Sequence, residues 1–188
     1  FSNVNGYQTD PYKLVSVVDG VTGLPTEHLF EGRPDTRNKH VLFSELARHL
    51  GRDVVHLSYR FMADDWGIAS HTLDLRYRWN LWENQYLQPH VRYYRQGEAD
   101  FYRRSLVADE ALPQHATADY RLGRMTTWTA GLKYGRTLPN GHEVSMRFEY
   151  YAQMGDSSPG DAIGALRDLD LFPTVDAFIL QAGYSLGP

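Results

Sequence analysis

The chain of 188 residues carries a formal net charge of -4, from 19 lysines and arginines against 23 aspartates and glutamates. This length suits one domain of ordinary size. The charged residues form no segregated basic region, so the sequence gives no support to a nucleic-acid binder. Cysteine is absent, which excludes disulfides, cysteine nucleophiles, thiolate zinc sites and covalent c-type haem attachment.

Hydropathy separates two kinds of membrane protein. No apolar run approaches the roughly 20 residues of a transmembrane helix, so a helical membrane protein is excluded. A soluble protein and a transmembrane β-barrel remain, and the mean hydropathy of -0.50 is compatible with both. The chain opens on FSNVNGYQTDPYK, without methionine or an apolar signal core, which indicates a mature or truncated chain.

Seven segments alternate apolar and polar residues with the period of a β-strand. They are residues 40–50, 53–62, 70–81, 86–95, 124–137, 143–152 and 175–186. Leucines at helical spacing make a helix a competitor for the first segment, but only GRD separates it from the second, which favours a hairpin. Pro89 cannot donate a hydrogen bond to a neighbouring strand, so we expect it near a strand end or bulge.

Short and long connections alternate between these segments. The short turns are 51–53, 82–85 and 138–142, and the long loops are 63–69, 96–123 and 153–174. Outer-membrane barrels have this arrangement, with short turns at one end and long loops at the other.

Aromatic residues indicate two interfacial belts at opposite ends of the strands. Trp79 and Trp82 flank a short turn, whereas Trp66 lies in a loop on the other side. Tyrosines also cluster towards the long-loop ends, at Tyr93, Tyr94, Tyr150 and Tyr151. The alternative is that aromatic residues favour β-sheets in any environment.

Four segments carry a resemblance that runs through most of the chain. They are GYQTDPYKLVSVVDG (6–20), EGRPDTRNKHVL (31–42), DDWGIASHTLDL (64–75) and LQPHVRYYRQGEADFYR (87–103). Together they resemble a family of bacterial outer-membrane barrels described as a domain of unknown function. The resemblance implies that residues 1–4 are the tail of a strand and that the chain is the C-terminal part of a larger barrel. Such barrels typically end on an aromatic residue, whereas this chain ends YSLGP, so its terminus is atypical or truncated.

We therefore predict an all-β fold, an antiparallel transmembrane β-barrel of outer-membrane type with about seven or eight strands present, as a single domain over residues 1–188. Residues 1–39 are predicted to hold the strand tail and a long outer loop. Residues 40–188 are predicted to hold the strand hairpins, with long loops at 96–123 and 153–174.

Polar side chains opposite the apolar face are predicted to line the lumen. They are His56, Arg60, Asp74, Arg76, Arg78, His90, Arg92, Lys133, Arg147 and Glu149. Basic residues outnumber acidic ones in this set, which favours anionic solutes if water fills the lumen. The alternative is that the charges pair across neighbouring strands and fill the interior, with Asp74 and Glu149 bound to adjacent arginines.

Metal and cofactor chemistry finds weaker support, and no cofactor is predicted. His56 and His90 share the polar face and His71 lies on the strand between them, but no HExxH or close two-histidine spacing occurs. Four aspartates, Asp156, Asp161, Asp168 and Asp170, lie in the loop from Gly155 to Phe172. Their spacing does not match an EF-hand, so a solvated loop is favoured over a calcium site.

The predicted function is a channel for small polar or anionic solutes, or a scaffold for an exported or periplasmic partner, in the bacterial outer membrane. The segment RYYRQGEADFYRR (92–104) interleaves arginine with tyrosine, and outer-membrane lipid and lipopolysaccharide phosphates are its expected partners rather than nucleic acid. An outer-membrane hydrolase is one alternative, although no G-x-S-x-G motif occurs. A soluble ligand-binding barrel is the other.

Overall fold

The computed structural model of the protein describes residues 1–156, 160 and 162–187. Over those ranges it has eleven β-strands and two short 3-10 turns, Tyr120–Leu122 and Gly164–Asp168. The strands are β1 (Ser2–Asn5), β2 (Leu14–Val18), β3 (Pro25–Phe30), β4 (Thr36–Leu50), β5 (Asp53–Asp64), β6 (Ala69–Trp82), β7 (Gln85–Gln96), β8 (Ser105–Val107), β9 (Met125–Thr137), β10 (Glu143–Gly155) and β11 (Val175–Ser185). No helix in the described ranges has the length and apolar character needed to cross a bilayer.

Eight strands form one sheet in the order β1-β4-β5-β6-β7-β9-β10-β11, with every pairing antiparallel. All seven predicted segments are strands of this sheet, and the ambiguous first segment is β4 rather than a helix. Gly51 and Gly141 have positive φ angles of 67° and 82° in two of the tight turns, a backbone conformation that glycine adopts without steric cost. The all-β antiparallel prediction is therefore confirmed.

Pro89 lies inside β7, where its Cα pairs with that of Leu132 on β9. The pairing of β7 with β6 is interrupted opposite Pro89, at Tyr77 and Arg78, and the register shifts between Asn80 and Trp82. The missing N–H of proline is thus accommodated by a local break in the ladder and not by a position at the strand end.

The sheet has two free edges. Strand β1 pairs only with residues 36–39 of β4, so residues 40–50 have no partner on that side, and β11 pairs only with β10. The strands in the described part of the chain therefore form an open sheet and do not close into a barrel.

The two faces of the sheet differ in chemistry. Side chains of directly opposed residues share a face, so the register places all ten predicted lumen residues on one side, called here the polar face. The opposite side, the apolar face, is rich in exposed side chains such as Phe178 and Leu180, which are 74% and 69% exposed. Among the described residues, no second apolar layer packs on this face, as one does in a sandwich of two sheets.

The long loops build a second unit at one end of the sheet, called here the cap. It contains a three-stranded sheet in the order β3-β2-β8, in which β2 pairs antiparallel with β3 and parallel with β8. Residues 1–39 were predicted to hold only a strand tail and a loop, so β2 and β3 are an addition to that prediction.

The cap contains the hydrophobic core. Its buried cluster consists of Trp66, Ile68, Ala99, Phe101, Tyr102 and Leu122. Trp66 contacts Phe101 edge to face with ring centroids 5.1 Å apart, and its Nε1 donates to the Thr36 carbonyl at 2.8 Å. The loops are thus held by their own core at the end of the sheet.

Candidate functional site

The strand register arranges the predicted lumen residues in rows across the polar face. His56, Arg76, His90 and Glu149 occupy one row. Asp74 faces Arg92 in the next row towards the cap, and Arg60 lies one row further. Arg78, Lys133 and Arg147 lie one row towards the short turns. Because each member sits at alternate positions of a regular strand, sequence periodicity was sufficient to group all ten.

An ion-pair network connects most of this face. Arg76 Nε donates to Asp74 Oδ1 at 3.0 Å, and Arg147 Nη1 lies 3.9 Å from Glu149 Oε1. Both acids bind an arginine two residues away on their own strand, whereas the sequence interpretation had them pairing across neighbouring strands. The network reaches β4, where Glu45 lies 3.8 Å from His56 Nδ1. Glu45 was absent from the predicted set, although its in-register partner Ser58 places it on the same face.

His90 is the centre of the network. Its Nε2 lies 2.9 Å from Asp74 Oδ2, and its Nδ1 lies 2.7 Å from Glu149 Oε1. Glu149 is on β10, so its side chain must cross β9 at Gly131, the residue opposite both partners. A β-carbon at Gly131 would lie 2.5 Å from Glu149 Cγ, so glycine is what allows this contact.

A second close packing arrangement holds the short-turn end of the polar face. Tyr86 is buried and its ring lies over Gly135, where a β-carbon would come within 2.3 Å of the ring. The Tyr86 hydroxyl donates to Glu143 Oε1 at 2.7 Å. The Arg78 guanidinium stacks 3.6 Å above the Tyr86 ring, a cation–π contact.

Two arginines of the polar face stand apart from this network. Within the described part of the chain, Arg60 and Arg92 carry neither a hydrogen bond nor an ion pair to another residue, and both are exposed. Their guanidinium donors are therefore available to solvent or to a bound solute.

The histidines do not assemble a metal site. His90 meets its two carboxylates through opposite ring nitrogens, so one ion cannot bind all three groups. His71 lies on the apolar face, where its Nδ1 is 2.6 Å from the Tyr59 hydroxyl. Over the described ranges, no group of three or more His, Cys, Asp or Glu side chains is placed to hold a metal ion.

The acidic loop that was weighed as a calcium site spreads its carboxylates. Asp156, Asp168 and Asp170 are exposed, and Asp156 lies 3.5 Å from Arg104 Nη2. Asp161 lies outside the described residues. The described aspartates thus show no convergence towards a common centre.

A buried polar cluster in the cap was missed by sequence reasoning. The Arg33 side chain donates to Glu31 Oε2 at 3.0 Å and to Asp119 Oδ2 at 2.9 Å, and both carboxylates are inaccessible to solvent. Thr117, fully buried, donates to Glu31. These contacts join the segment between β3 and β4 to the loop between β7 and β9. Loop residues have no periodicity, so their pairing left no signal in the sequence.

Asp119 is the most strongly perturbed group of this cluster. Burial alone would raise its pKa, but hydrogen bonds from the Arg121 side chain and backbone, the charge of Arg121 and the bond from Arg33 lower the pKa to about 2. The carboxylate therefore stays charged, and the cluster acts as an ionic fastening between loops.

Trp66 differs from its predicted role in an interfacial belt. It lies at the cap end, as its loop position indicated, but its ring is buried and the Arg37 guanidinium covers it at 4.3 Å. Arg37 is itself held by Asp64 at 2.5 Å. Trp66 is therefore a core residue of the cap and does not belong to an interfacial belt.

The arginine–tyrosine segment 92–104 also differs from an exposed stacking surface. Phe101 and Tyr102 are buried in the cap core, and Arg103 Nη1 donates to the carbonyls of Asp100 and Tyr102. Only its strand portion, with Arg92 and Tyr94, lies on the polar face.

Comparison with known proteins gave one family. The family described as "Protein of unknown function (DUF3570)" matches residues 1–186. Neither a curated protein nor a solved structure matches the chain.

Proposed function

The chain belongs to the DUF3570 family of proteins of unknown function, and we propose that it forms part of a bacterial outer-membrane β-barrel that conducts small polar or anionic solutes. The apolar face would contact lipid, and the polar face would line an aqueous lumen. The cap of long loops would stand on the outer side, next to lipopolysaccharide. The proposal rests on the structure's two chemically distinct faces.

The exposed apolar face is the observation that carries the proposal. Exposed side chains on it include Leu57, Leu75, Val91, Leu132, Phe148, Tyr150, Phe178 and Leu180. These residues are neighbours across six strands, so the patch is continuous. Soluble monomers rarely expose more than a few hundred Å² of continuous apolar surface, which makes a lipid environment the better match.

Strand length and aromatic positions support contact between this face and a lipid bilayer. The seven long strands have 11 to 15 residues, and about 9 to 11 tilted residues suffice to cross the hydrocarbon core. Trp79 and Trp82 are exposed at the short-turn end, and Tyr93 packs on Trp128 at 4.6 Å nearer the cap. Aromatic girdles of a membrane barrel occupy these two heights.

The free edges of β4 and β11 support closure by further strands. Unpaired backbone groups cost several kcal/mol each in hydrocarbon, so only closed barrels and helices cross membranes. Residues 40–50 of β4 present an unpaired edge with exposed apolar side chains on both faces, among them Leu42 and Phe43. We therefore propose that additional strands complete a larger barrel.

A tryptophan-quenching experiment tests the membrane-facing surface. Single-tryptophan variants of the full-length protein, keeping Trp79, Trp128 or Trp66, are folded into vesicles that contain lipids brominated on the acyl chains. Trp79 and Trp128 are expected to be quenched strongly because they lie exposed on the apolar face. Trp66 serves as the matched control, since the cap buries it. Equal protection of all three would overturn the proposed lipid contact.

Single-channel recording tests the conduction of solutes. The full-length protein, shown to be folded, is inserted into a planar bilayer under a salt gradient. We expect a conductance whose reversal potential favours anions, because Arg60 and Arg92 on the polar face have no ion-pair partner among the described residues. No conductance above background would contradict the channel and favour a scaffold for an exported or periplasmic partner.

A further inference from the structure

A cavity of about 430 Å³ opens on the polar face near the cap. It lies over β7, β9, β10 and β11, and His90 and Glu149 of the ion-pair network form one of its walls. Its lining includes Arg92, Tyr94, Thr127, Thr129, Glu149 and Tyr151. Cavities of this size suit small molecules, and five of these six side chains offer hydrogen-bond donors.

Arg92 supplies an uncompensated positive charge to this cavity. Its in-register neighbours are Asp74 on β6 and Thr129 on β9. Asp74 already accepts from Arg76 and lies 2.9 Å from His90 Nε2, so its carboxylate is engaged elsewhere. A guanidinium presents five donors in a planar fork that matches carboxylate and phosphate groups.

Arg60 brings a second positive charge towards the same place. Arg60, Thr72 and Tyr94 lie in one row, which puts Arg60 two strands from Tyr94. Two strand spacings amount to roughly 10 Å, a separation that two extended arginine side chains span together. Tyr94 shares its row with Arg60 and its strand with Arg92, so the register places it between the two arginines.

The acidic wall of the cavity is engaged by its own partners. Glu149 lies 2.7 Å from His90 Nδ1 and 3.9 Å from Arg147 Nη1. Its carboxylate therefore faces the network rather than opposing a second anion. The hydroxyls of Thr127 and Thr129 line the floor between Glu149 and Arg92.

We propose that this cavity binds a small hydroxylated solute that carries a carboxylate or a phosphate. Arg92 and Arg60 hold the charged group, and the hydroxyls of Thr127, Thr129 and Tyr151 meet the hydroxyls of the solute. This inference rests on the proposed function, because the lumen is what brings solute to the cavity, and it adds the chemical class and the residues that select it.

Calorimetric titration of the folded full-length protein in detergent tests the site, with gluconate and inorganic phosphate as probes. Binding of either probe is expected, and binding of one alone identifies the charged group. Arg92→Gln and Arg60→Gln should each weaken it at least about tenfold, the loss of one charge-assisted hydrogen bond. Arg136→Gln removes the same charge at the short-turn end of β9 and should leave affinity unchanged.

Failure of the site and failure of the channel are distinguishable in this design. The titration requires only a folded polar face, so it reports on the site even in a protein without conductance. Binding of neither probe overturns the inference, as does an equal loss in all three variants. A protein that conducts anions without binding either probe retains the proposed function and loses the site.

Discussion

His90 Nδ1 and Glu149 Oε1 lie 2.7 Å apart although an entire strand, β9, separates the strands that carry them. Gly131 is the residue of β9 between them, and its missing side chain leaves the space through which Glu149 reaches. His90 joins this acid to Asp74 on β6, so one imidazole links β6, β7 and β10 across a span of four consecutive strands. Close approach of this kind is a recurrent reason for glycine inside a strand.

Gly131→Ala should destabilise the sheet. The new β-carbon would lie 2.5 Å from Glu149 Cγ and 2.8 Å from the Phe148 carbonyl oxygen, so the Glu149 side chain must move away from His90. Overpacking of this kind costs about 1–3 kcal/mol. Urea unfolding of the protein in lipid vesicles measures the loss as a lower midpoint.

Gly97→Ala is the matched control for this substitution. A β-carbon at Gly97 meets only the Ala69 carbonyl oxygen at 3.9 Å, an ordinary contact. Its midpoint should stay within experimental error of the wild-type value. A Gly131→Ala midpoint equal to that of Gly97→Ala would contradict the requirement for glycine between His90 and Glu149.

The seven long strands of the sheet were predictable from sequence because each alternates over ten or more residues, as in residues 70–81. The same alternation grouped the polar-face residues, since parity along a strand decides the face. The contact between His90 and Glu149 was not predictable, because it depends on the register of three strands. Glycine within β9 indicates a close approach of another group, but the sequence does not show which group approaches. Gly131 makes room for Glu149, whereas Gly135 makes room for the Tyr86 ring.

Tyr86→Phe should weaken the short-turn end of the polar face. The substitution keeps the ring over Gly135 and under Arg78, but it removes the hydrogen bond to Glu143 Oε1. Loss of a hydrogen bond to a charged group in a buried setting costs about 1–2 kcal/mol. The urea midpoint is the measurement, and Tyr12→Phe, at a side chain that is 91% exposed, is the control. Equal midpoints for the two variants would argue against this bond.

The cap should open in acid. The pKa of Asp119 is lowered from 3.8 in the unfolded chain to about 2 in the folded one. A lowered folded pKa means that the ionic contribution, roughly 2 kcal/mol, is fully present above about pH 4 and is lost as pH falls towards 2. Emission of Trp66, in a variant without the other three tryptophans, reports the opening as a red shift.

Asp119→Asn should weaken the cap near neutral pH and reduce its sensitivity to acid. The variant lacks the carboxylate, so its cap is weaker already at pH 6 and changes less between pH 4 and 2. Asp168→Asn removes a charge from an exposed cap side chain and should keep the wild-type profile. Identical acid profiles for Asp119→Asn and the wild type would refute the role of Asp119.

The strands and ion pairs of the cap were not predictable from the sequence. Strand β2 pairs in parallel with β8, a contact between loops about ninety residues apart in sequence, and strands of three to six residues carry too few alternations to identify. The charged residues Glu31 and Arg33 were visible, but Asp119, the second acid bound by Arg33, comes from the other loop.

Trp66→Ala should loosen the cap without dissolving the sheet. The indole is 3% exposed, packs on Phe101 and donates to the Thr36 carbonyl, so its removal leaves a cavity and costs about 3–5 kcal/mol. Limited trypsin digestion should then cleave after Arg103 and Arg121, while strand protection persists. Leu112→Ala, in the loop that carries both arginines and at a side chain that is 60% exposed, should stay as resistant as the wild type. Wild-type resistance in Trp66→Ala would show that the cap does not depend on this core, because the backbone at these two exposed arginines would then be held as firmly as before.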